Sequence, residues 1–201
     1  MFGIYDNGEI IAQFAAPMTM RSNAPVFLSD SLSLKRKAKY RGSQRWELET
    51  NLEPLSHGGN QLMVNMVVNN YNNTVDIVIP QNIGVMKERV EATLGPVATG
   101  SQYASTVNIA STNPEAYIPA GQFLKFSNHS KIYMVTEGLS GNGTLHVYPP
   151  LVIELPADPP TNIYIDGVRM ACYYDTETVI GMSYTDGILM DNGSIKLIEA
   201  L

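Results

Sequence analysis

The stretch SLSLKRKAKYRGSQRWELETNL, residues 31–52, decides how the rest of the chain is read. It holds six of the thirteen Lys and Arg residues, with no acid between positions 35 and 45. Ser31, Ser33, Lys35, Lys37, Lys39 and Arg41 share one phase of a two-residue period, and Leu32, Leu34, Arg36, Ala38 and Tyr40 share the other. Further on, Trp46, Leu48, Thr50 and Leu52 alternate with Arg45, Glu47 and Glu49. This alternation predicts two antiparallel strands turning at Gly42-Ser43-Gln44. The register that satisfies both faces pairs Lys39 with Glu47, Lys37 with Glu49, Tyr40 with Trp46 and Leu34 with Leu52. A slip of one residue would set charge against apolar groups along the whole ribbon. A two-stranded ribbon alone is only marginally stable in water, so a sheet or a partner is expected beneath it.

The cations of the ribbon outnumber the acids facing them. The excess meets water, the acids of a neighbouring subunit, or a polyanion. Tyr40 and Trp46 flank the basic run, which is the recipe for stacking bases while neutralising phosphates. Their phase, however, sets them opposite the Lys ladder, which favours packing in a core. Outside residues 35–45 the chain carries seven basic against nineteen acidic residues, and the net charge is −6. Such a chain repels nucleic acid at long range.

Hydrophobic residues make up 44% of the 201-residue chain, enough to bury a core, while charged residues make up only 16%. The surface is therefore built largely from neutral polar groups, which suits β structure and packed assemblies. Gly, Pro and Asn punctuate the chain about every ten residues, leaving short β-rich segments between them. The expected class is mainly β. Strands are predicted over 8–14, in TVDIVIP, and in STVNIAS, QFLKFSN, KIYMVTE and GTLHVYP between 100 and 150. One short helix is expected at roughly 60–70, where Leu62, Met63, Met66 and Val67 share a face. Residues 1–95 and 159–201 form one β domain in this reading, with the hairpin 31–52 as part of it. Residues 96–158 form a small antiparallel β-barrel inserted between its halves.

A search for chemistry finds little. The single cysteine, Cys172, rules out an internal disulfide and lies in a strand-like context, as a small buried hydrophobe. His57, His129 and His146 show no metal-ligand spacing. GLSGNG at 138–143 lacks the Lys-Ser/Thr ending of a phosphate loop and reads as a hairpin turn. Asp166, Asp175, Asp186 and Asp191 are spaced too loosely for a calcium loop. No enzyme, cofactor or metal is expected. The first twenty residues do not read as a signal peptide, and no apolar run approaches the roughly 20 residues of a membrane span.

The basic ribbon with SQRWELETNLEPL resembles structural proteins of tailed bacteriophages. So do AGQFLKFSNHSKIYMVTEGLSGNGTLHVYPPL and the terminal GMSYTDGILMDNGSIKLIEAL. The tail-tube and distal-tail (baseplate) proteins are the nearest group. The resemblance covers residues 31–80 and 118–201. It implies a tail-tube-like β-sandwich whose copies assemble into a ring, usually hexameric, around a channel that DNA crosses without being read. Other tail and baseplate proteins would be its neighbours, and its place would be the virion tail after synthesis in the host cytoplasm. Carried onto this chain, residues 31–52 would be the inter-subunit ribbon, with Lys35, Lys37, Lys39, Arg41, Arg45, Trp46, Glu47 and Glu49 at the interface. Tail lumens are typically acidic, so Lys35, Lys37 and Lys39 would face acidic surface on a neighbour. Two other roles are compatible: a neck or head–tail connector ring, and a receptor- or glycan-binding tail module using the inserted barrel. For the latter, Tyr117, Phe123, Phe126, Tyr133 and Tyr148 are the candidate aromatics.

Overall fold

The computed structural model describes residues 2–6, 8–30, 36–40, 43–53, 55–56, 74–79, 96–111, 117–159, 161–165, 167–175, 183–185, 189–191 and 194–201. For residues 40, 55–56, 96–97, 111, 183–185 and 189–191 it describes the backbone alone. The early strands are β1 (Gly3–Asp6), β2 (Glu9–Asn23), β3 (Val26–Asp30), β4 (Arg36–Tyr40), β5 (Arg45–Leu52), β6 (Leu55–Ser56) and β7 (Val75–Val78). The middle of the chain contributes β8 (Pro96–Thr99), β9 (Thr106–Ser111), β10 (Tyr117–Ile118), β11 (Phe123–Phe126), β12 (Ile132–Glu137), β13 (Leu139–Ser140) and β14 (Gly143–Tyr148). Then follow β15 (Ile163–Tyr164), β16 (Arg169–Tyr174), β17 (Ser183–Thr185), β18 (Leu189–Asp191) and β19 (Ser194–Glu199). The chain is mainly β, as expected, with no helix among the described residues. The helix expected at 60–70 lies outside them.

Six strands close into an antiparallel barrel in the order β1-β2-β5-β19-β16-β7. A two-sheet sandwich was expected for this part of the chain; the described strands instead close on themselves. Strands β16 and β19 return from beyond residue 160 to join strands from the first eighty residues. The alternation of β5 is as expected: Trp46, Leu48, Thr50 and Leu52 are buried, and the residues between them are not. The barrel core joins these to Ile4, Phe14, Val75, Ile77, Met170, Cys172, Ile195 and Leu197. At Gly3 the backbones of β1 and β2 approach so closely that an added Cβ would collide with the Ala12 carbonyl.

The hairpin register is a correction. Strand β5 does not pair with β4. It lies between β2 and β19, with Phe14 opposite Leu52, Met20 opposite Leu48 and, on its other side, Leu197 opposite Leu48. Strand β4 pairs with β3, placing Val26 opposite Tyr40, Phe27 opposite Lys39, Leu28 opposite Ala38 and Ser29 opposite Lys37. The ribbon therefore joins residues 26–30 to residues 36–40, not 31–41 to 45–52. The expected pairs Lys39–Glu47, Lys37–Glu49 and Tyr40–Trp46 do not form, and Leu34, expected opposite Leu52, lies outside the described residues. The long-range pairing wins because it sets apolar rows of three strands side by side, whereas a local hairpin would join only two. A bulge between Ala15 and Met18 accommodates Pro17, which has no N–H to give the ladder.

A second sheet runs β15-β11-β12-β14-β9-β8, and all four strands predicted between 100 and 150 are in it. Its edges are stitched together by a bridge between Ala98 and Thr161, where Ala98 N–H donates to Thr161 O at 3.3 Å. This bends the sheet around its own core of Val107, Ile109, Leu124, Phe126, Tyr133, Leu145 and Val147. Smaller sheets are β3-β4, β10-β13 and β17-β18-β6.

Candidate functional site

The eight residues singled out in the sequence fall in three places. Lys35 and Arg41 lie outside the described residues. Lys37 and Lys39 are exposed on β4, in the ribbon β3–β4. Arg45, Trp46, Glu47 and Glu49 belong to β5 and so to the barrel wall.

All nine described side chains of the ribbon, residues 26–30 and 36–39, are exposed. Its register makes it two-sided. Phe27, Ser29, Lys37 and Lys39 share one face. Val26, Leu28, Asp30, Arg36 and Ala38 share the other, where Arg36 Nε meets Asp30 Oδ1 at 3.0 Å. Three large apolar side chains in succession stand in solvent: Val26 is 45% exposed, Phe27 56% and Leu28 60%. No second described sheet lies beneath them.

The acids expected to face the Lys ladder have other partners. Glu47 accepts from Asn23 Nδ2 at 2.6 Å and pairs with Lys196 Nζ at 3.3 Å. Lys196 also meets Asp175 at 2.9 Å, and that hydrogen bond holds its ammonium above its ordinary pKa. Glu49 pairs with Arg21 at 3.4 Å.

Beneath the ribbon's base lies a polar cluster that the sequence did not announce. Lys131 is 1% exposed and Glu199 is fully buried. Lys131 Nζ donates to Gln44 O (2.9 Å), to Gln44 Oε1 (2.7 Å) and to Glu199 Oε2, so all three of its donors are used. Glu199 Oε2 also accepts from Trp46 N–H at 3.0 Å, and Oε1 accepts from Ile132 N–H at 2.9 Å. Gln44 Nε2 donates to Ser22 Oγ (3.0 Å), which lies 3.0 Å from Tyr148 Oη. Trp46 Nε1–H donates to Ile132 O at 3.0 Å, and its ring meets Phe123 and Tyr148 edge-on. Barrel strands β2, β5 and β19 are thereby fastened to β12 and β14 of the second sheet. Burial pulls the Lys131 ammonium below its ordinary pKa, against the Glu199 carboxylate, which pushes it up. The sequence held one signal: Glu199 falls on the inward phase of β19, after Ile195 and Leu197.

The histidine readings divide. His57 lies outside the described residues. His146 sits 3.6 Å from Glu137 at the surface. His129 lies between strands and is half-buried. Its Nε2 lies 2.8 Å from Tyr133 Oη and its Nδ1 2.6 Å from Asn128 Oδ1. Val152 N–H donates to the same Tyr133 oxygen at 3.1 Å. The neutral ring satisfies this chain by accepting from Tyr133 and donating to Asn128. Burial, with Lys125 and Lys131 nearby, lowers the His129 pKa to about 4, and burial lifts the Tyr133 phenol to about 12. Cys172 is fully buried, and its thiol pKa is pushed well up by burial. Among the described residues, no three His, Cys, Asp or Glu side chains gather to hold a metal. No helix among them is long and apolar enough to cross a membrane.

Of the aromatics considered for glycan binding, Phe126 and Tyr133 are core residues and Phe123 and Tyr148 pack on Trp46. Tyr117 alone among them is well exposed. No protein-family model matches the chain, and no curated protein matches it.

Proposed function

We propose that this protein is a structural, non-enzymatic component of a bacteriophage tail or baseplate, which assembles with copies of itself into a ring around the tail channel. The ribbon β3–β4 is the assembly element. The observation that carries this reading is the ribbon's exposure: Val26, Phe27 and Leu28 on one strand and Lys37 and Lys39 on the other all stand open to water in a single chain. Consecutive apolar side chains left exposed on a strand are a liability unless something covers them. A neighbouring copy supplies both apolar surface for Val26 and Leu28 and, from a chain of net charge −6, acids for Lys37 and Lys39.

In this reading the six-stranded barrel and its ribbon are the tail-tube-like unit, and residues 96–158 are an inserted unit on its outside. The ring is hexameric, its neighbours are other tail and baseplate proteins, DNA meets it only in transit, and its location is the virion tail. The interface is carried by residues 26–40 rather than by 31–52 as a whole, because β5 is committed to the barrel.

Purified protein imaged by electron microscopy, with mass photometry to count subunits, tests the reading. Closed rings are expected. Leu28→Asp, or Lys37→Glu with Lys39→Glu, should leave folded monomers of unchanged Tm that no longer form rings. A chain that stays monomeric at high concentration and is missing from purified virions would overturn the proposal.

A further inference from the structure

The buried cluster at the junction holds an amine, a carboxamide and a carboxyl in mutual contact, and the assembly role uses none of them. Lys131 directly precedes β12, Gln44 directly precedes β5 and Glu199 ends β19, so each side chain is set on the framework of a sheet. Lys131 is 1% exposed, Gln44 3% and Glu199 0%. Lys131 Nζ lies 2.7 Å from Gln44 Oε1, and a C=O bond is about 1.23 Å long, so the carboxamide carbon Cδ is at most about 3.9 Å from the amine. Reacting atoms held about 3–3.5 Å apart are poised for attack, so a shift of a few tenths of an ångström at most brings this nitrogen into reach. Glu199 Oε2 touches the same nitrogen.

Three features favour reaction over a permanent ion pair. Burial weakens the hold of Lys131 on its proton, and an amine that passes a proton to Glu199 has a free lone pair. Glu199 is itself anchored by the N–H groups of Trp46 and Ile132, which keep it beside Nζ. Gln44 also borders a groove of about 330 Å³, together with Asn23, Ser43 and Arg45. Its Nε2 donates at 3.0 Å to Ser22 Oγ, on an exposed residue, so the nitrogen that would leave already faces the way out to water.

We propose that Lys131 and Gln44 join in an intramolecular isopeptide bond, with Glu199 as the acid–base residue. The arrangement in the structure is the one that precedes the bond. Lys131 Nζ attacks Gln44 Cδ, the Cδ–Nζ bond forms, and the π electrons move onto Oε1. As they return, the Cδ–Nε2 bond breaks and Nε2 departs as ammonia. Of the three protons of the ammonium, one stays on the new amide nitrogen, one passes through Glu199 to Nε2, and one remains on Glu199. The balance is complete within the three side chains. A neutral amide and a neutral carboxyl replace a buried ion pair, whose charges are costly to keep out of water. The new bond ties the barrel to the second sheet covalently. It stands on the junction alone and holds whatever the ribbon binds.

Intact-mass spectrometry of the full chain, denatured after prolonged storage in buffer, tests the bond. The chain should be lighter than its sequence mass by one molecule of ammonia. Tryptic digestion should yield a branched peptide in which Gln44 is joined to Lys131. Lys131→Arg and Gln44→Met should keep their full masses. Glu199→Gln, which matches the carboxyl in shape, should join about 100-fold more slowly or not at all. A parent chain that keeps its full mass overturns the proposal. So does an ammonia loss that maps to an asparagine, or a water loss that maps to Lys131 and Glu199. Joining at the parent rate in Glu199→Gln overturns the role given to the carboxyl.

Discussion

The ribbon and the junction beneath it both pair cations with carboxylates, and they do opposite things with them. On the ribbon, Arg36 and Asp30 meet at 3.0 Å with more than half of each side chain in water. At the junction, Lys131 and Glu199 meet with essentially none. An exposed pair contributes about 0–1 kcal/mol, since water competes for both charges and two long side chains lose freedom. A buried pair contributes little net stability relative to an apolar replacement, but removing one partner strands the other charge. Charge density in the sequence therefore misdirects. The conspicuous basic run leaves Lys37 and Lys39 exposed on the ribbon, while one lysine and one glutamate far apart in sequence tie the two sheets together.

The largest break in this contrast should come from Glu199→Ala. It leaves the Lys131 ammonium and two backbone N–H groups buried without their acceptor. A loss of about 3–5 kcal/mol in denaturant unfolding is expected, against a smaller loss for Lys131→Met combined with Glu199→Leu, which removes the stranded charge but still leaves both N–H groups without an acceptor. If the double variant is no better than Glu199→Ala, the pair does not act as a unit.

The histidines sharpen the same contrast through pH. Folded His129 takes its proton only near pH 4, whereas an unfolded histidine takes it near 6.5. Between those values the unfolded chain binds more protons, so this group's contribution to stability falls as pH drops from about 6.5 to 4 and is level below. The loss is on the order of 2–3 kcal/mol. Stability measured across that range should decline less in His129→Gln than in the parent; parallel profiles would refute the buried-neutral assignment.

Trp46→Phe keeps most of the ring packing at the junction but withdraws the N–H from Ile132 O. A cost of about 1–2 kcal/mol is expected in the same unfolding assay. The smallest effect belongs to the ribbon. Asp30→Asn should move monomer stability by no more than about 0.5 kcal/mol. A larger change would mean that the ribbon is tied into the monomer more firmly than its exposure indicates.

Much of the architecture was legible. Strict alternation identified β5 and its inward face, and the strands at 106–148, because a half-buried strand writes its burial into every second residue. The pairing was not legible. The β4 and β5 alternations fit each other well, and a local partner is cheap in loop entropy. Only the competing apolar rows of β2 and β19, more than a hundred residues apart, reveal why β5 goes elsewhere. Lys131 illustrates a different gap: it directly precedes β12 and looks like an ordinary solvated lysine until Glu199 is placed beside it. Tyr103, whose φ is +66, left no trace, since nothing in Ser-Gln-Tyr-Ala announces a left-handed backbone.

The closed barrel sets an order of events during synthesis. Its last-made strand, β19, sits between β5 and β16, so the seam stays open until residues 194–199 have left the ribosome. The second sheet, woven largely from strands near one another in sequence, needs no such wait and completes while the barrel is still a partial wall with free edges. Glu199 arrives with that final strand. The residue that neutralises Lys131 thus appears after every other described strand of both sheets, and the two sheets are fastened together only as the barrel shuts.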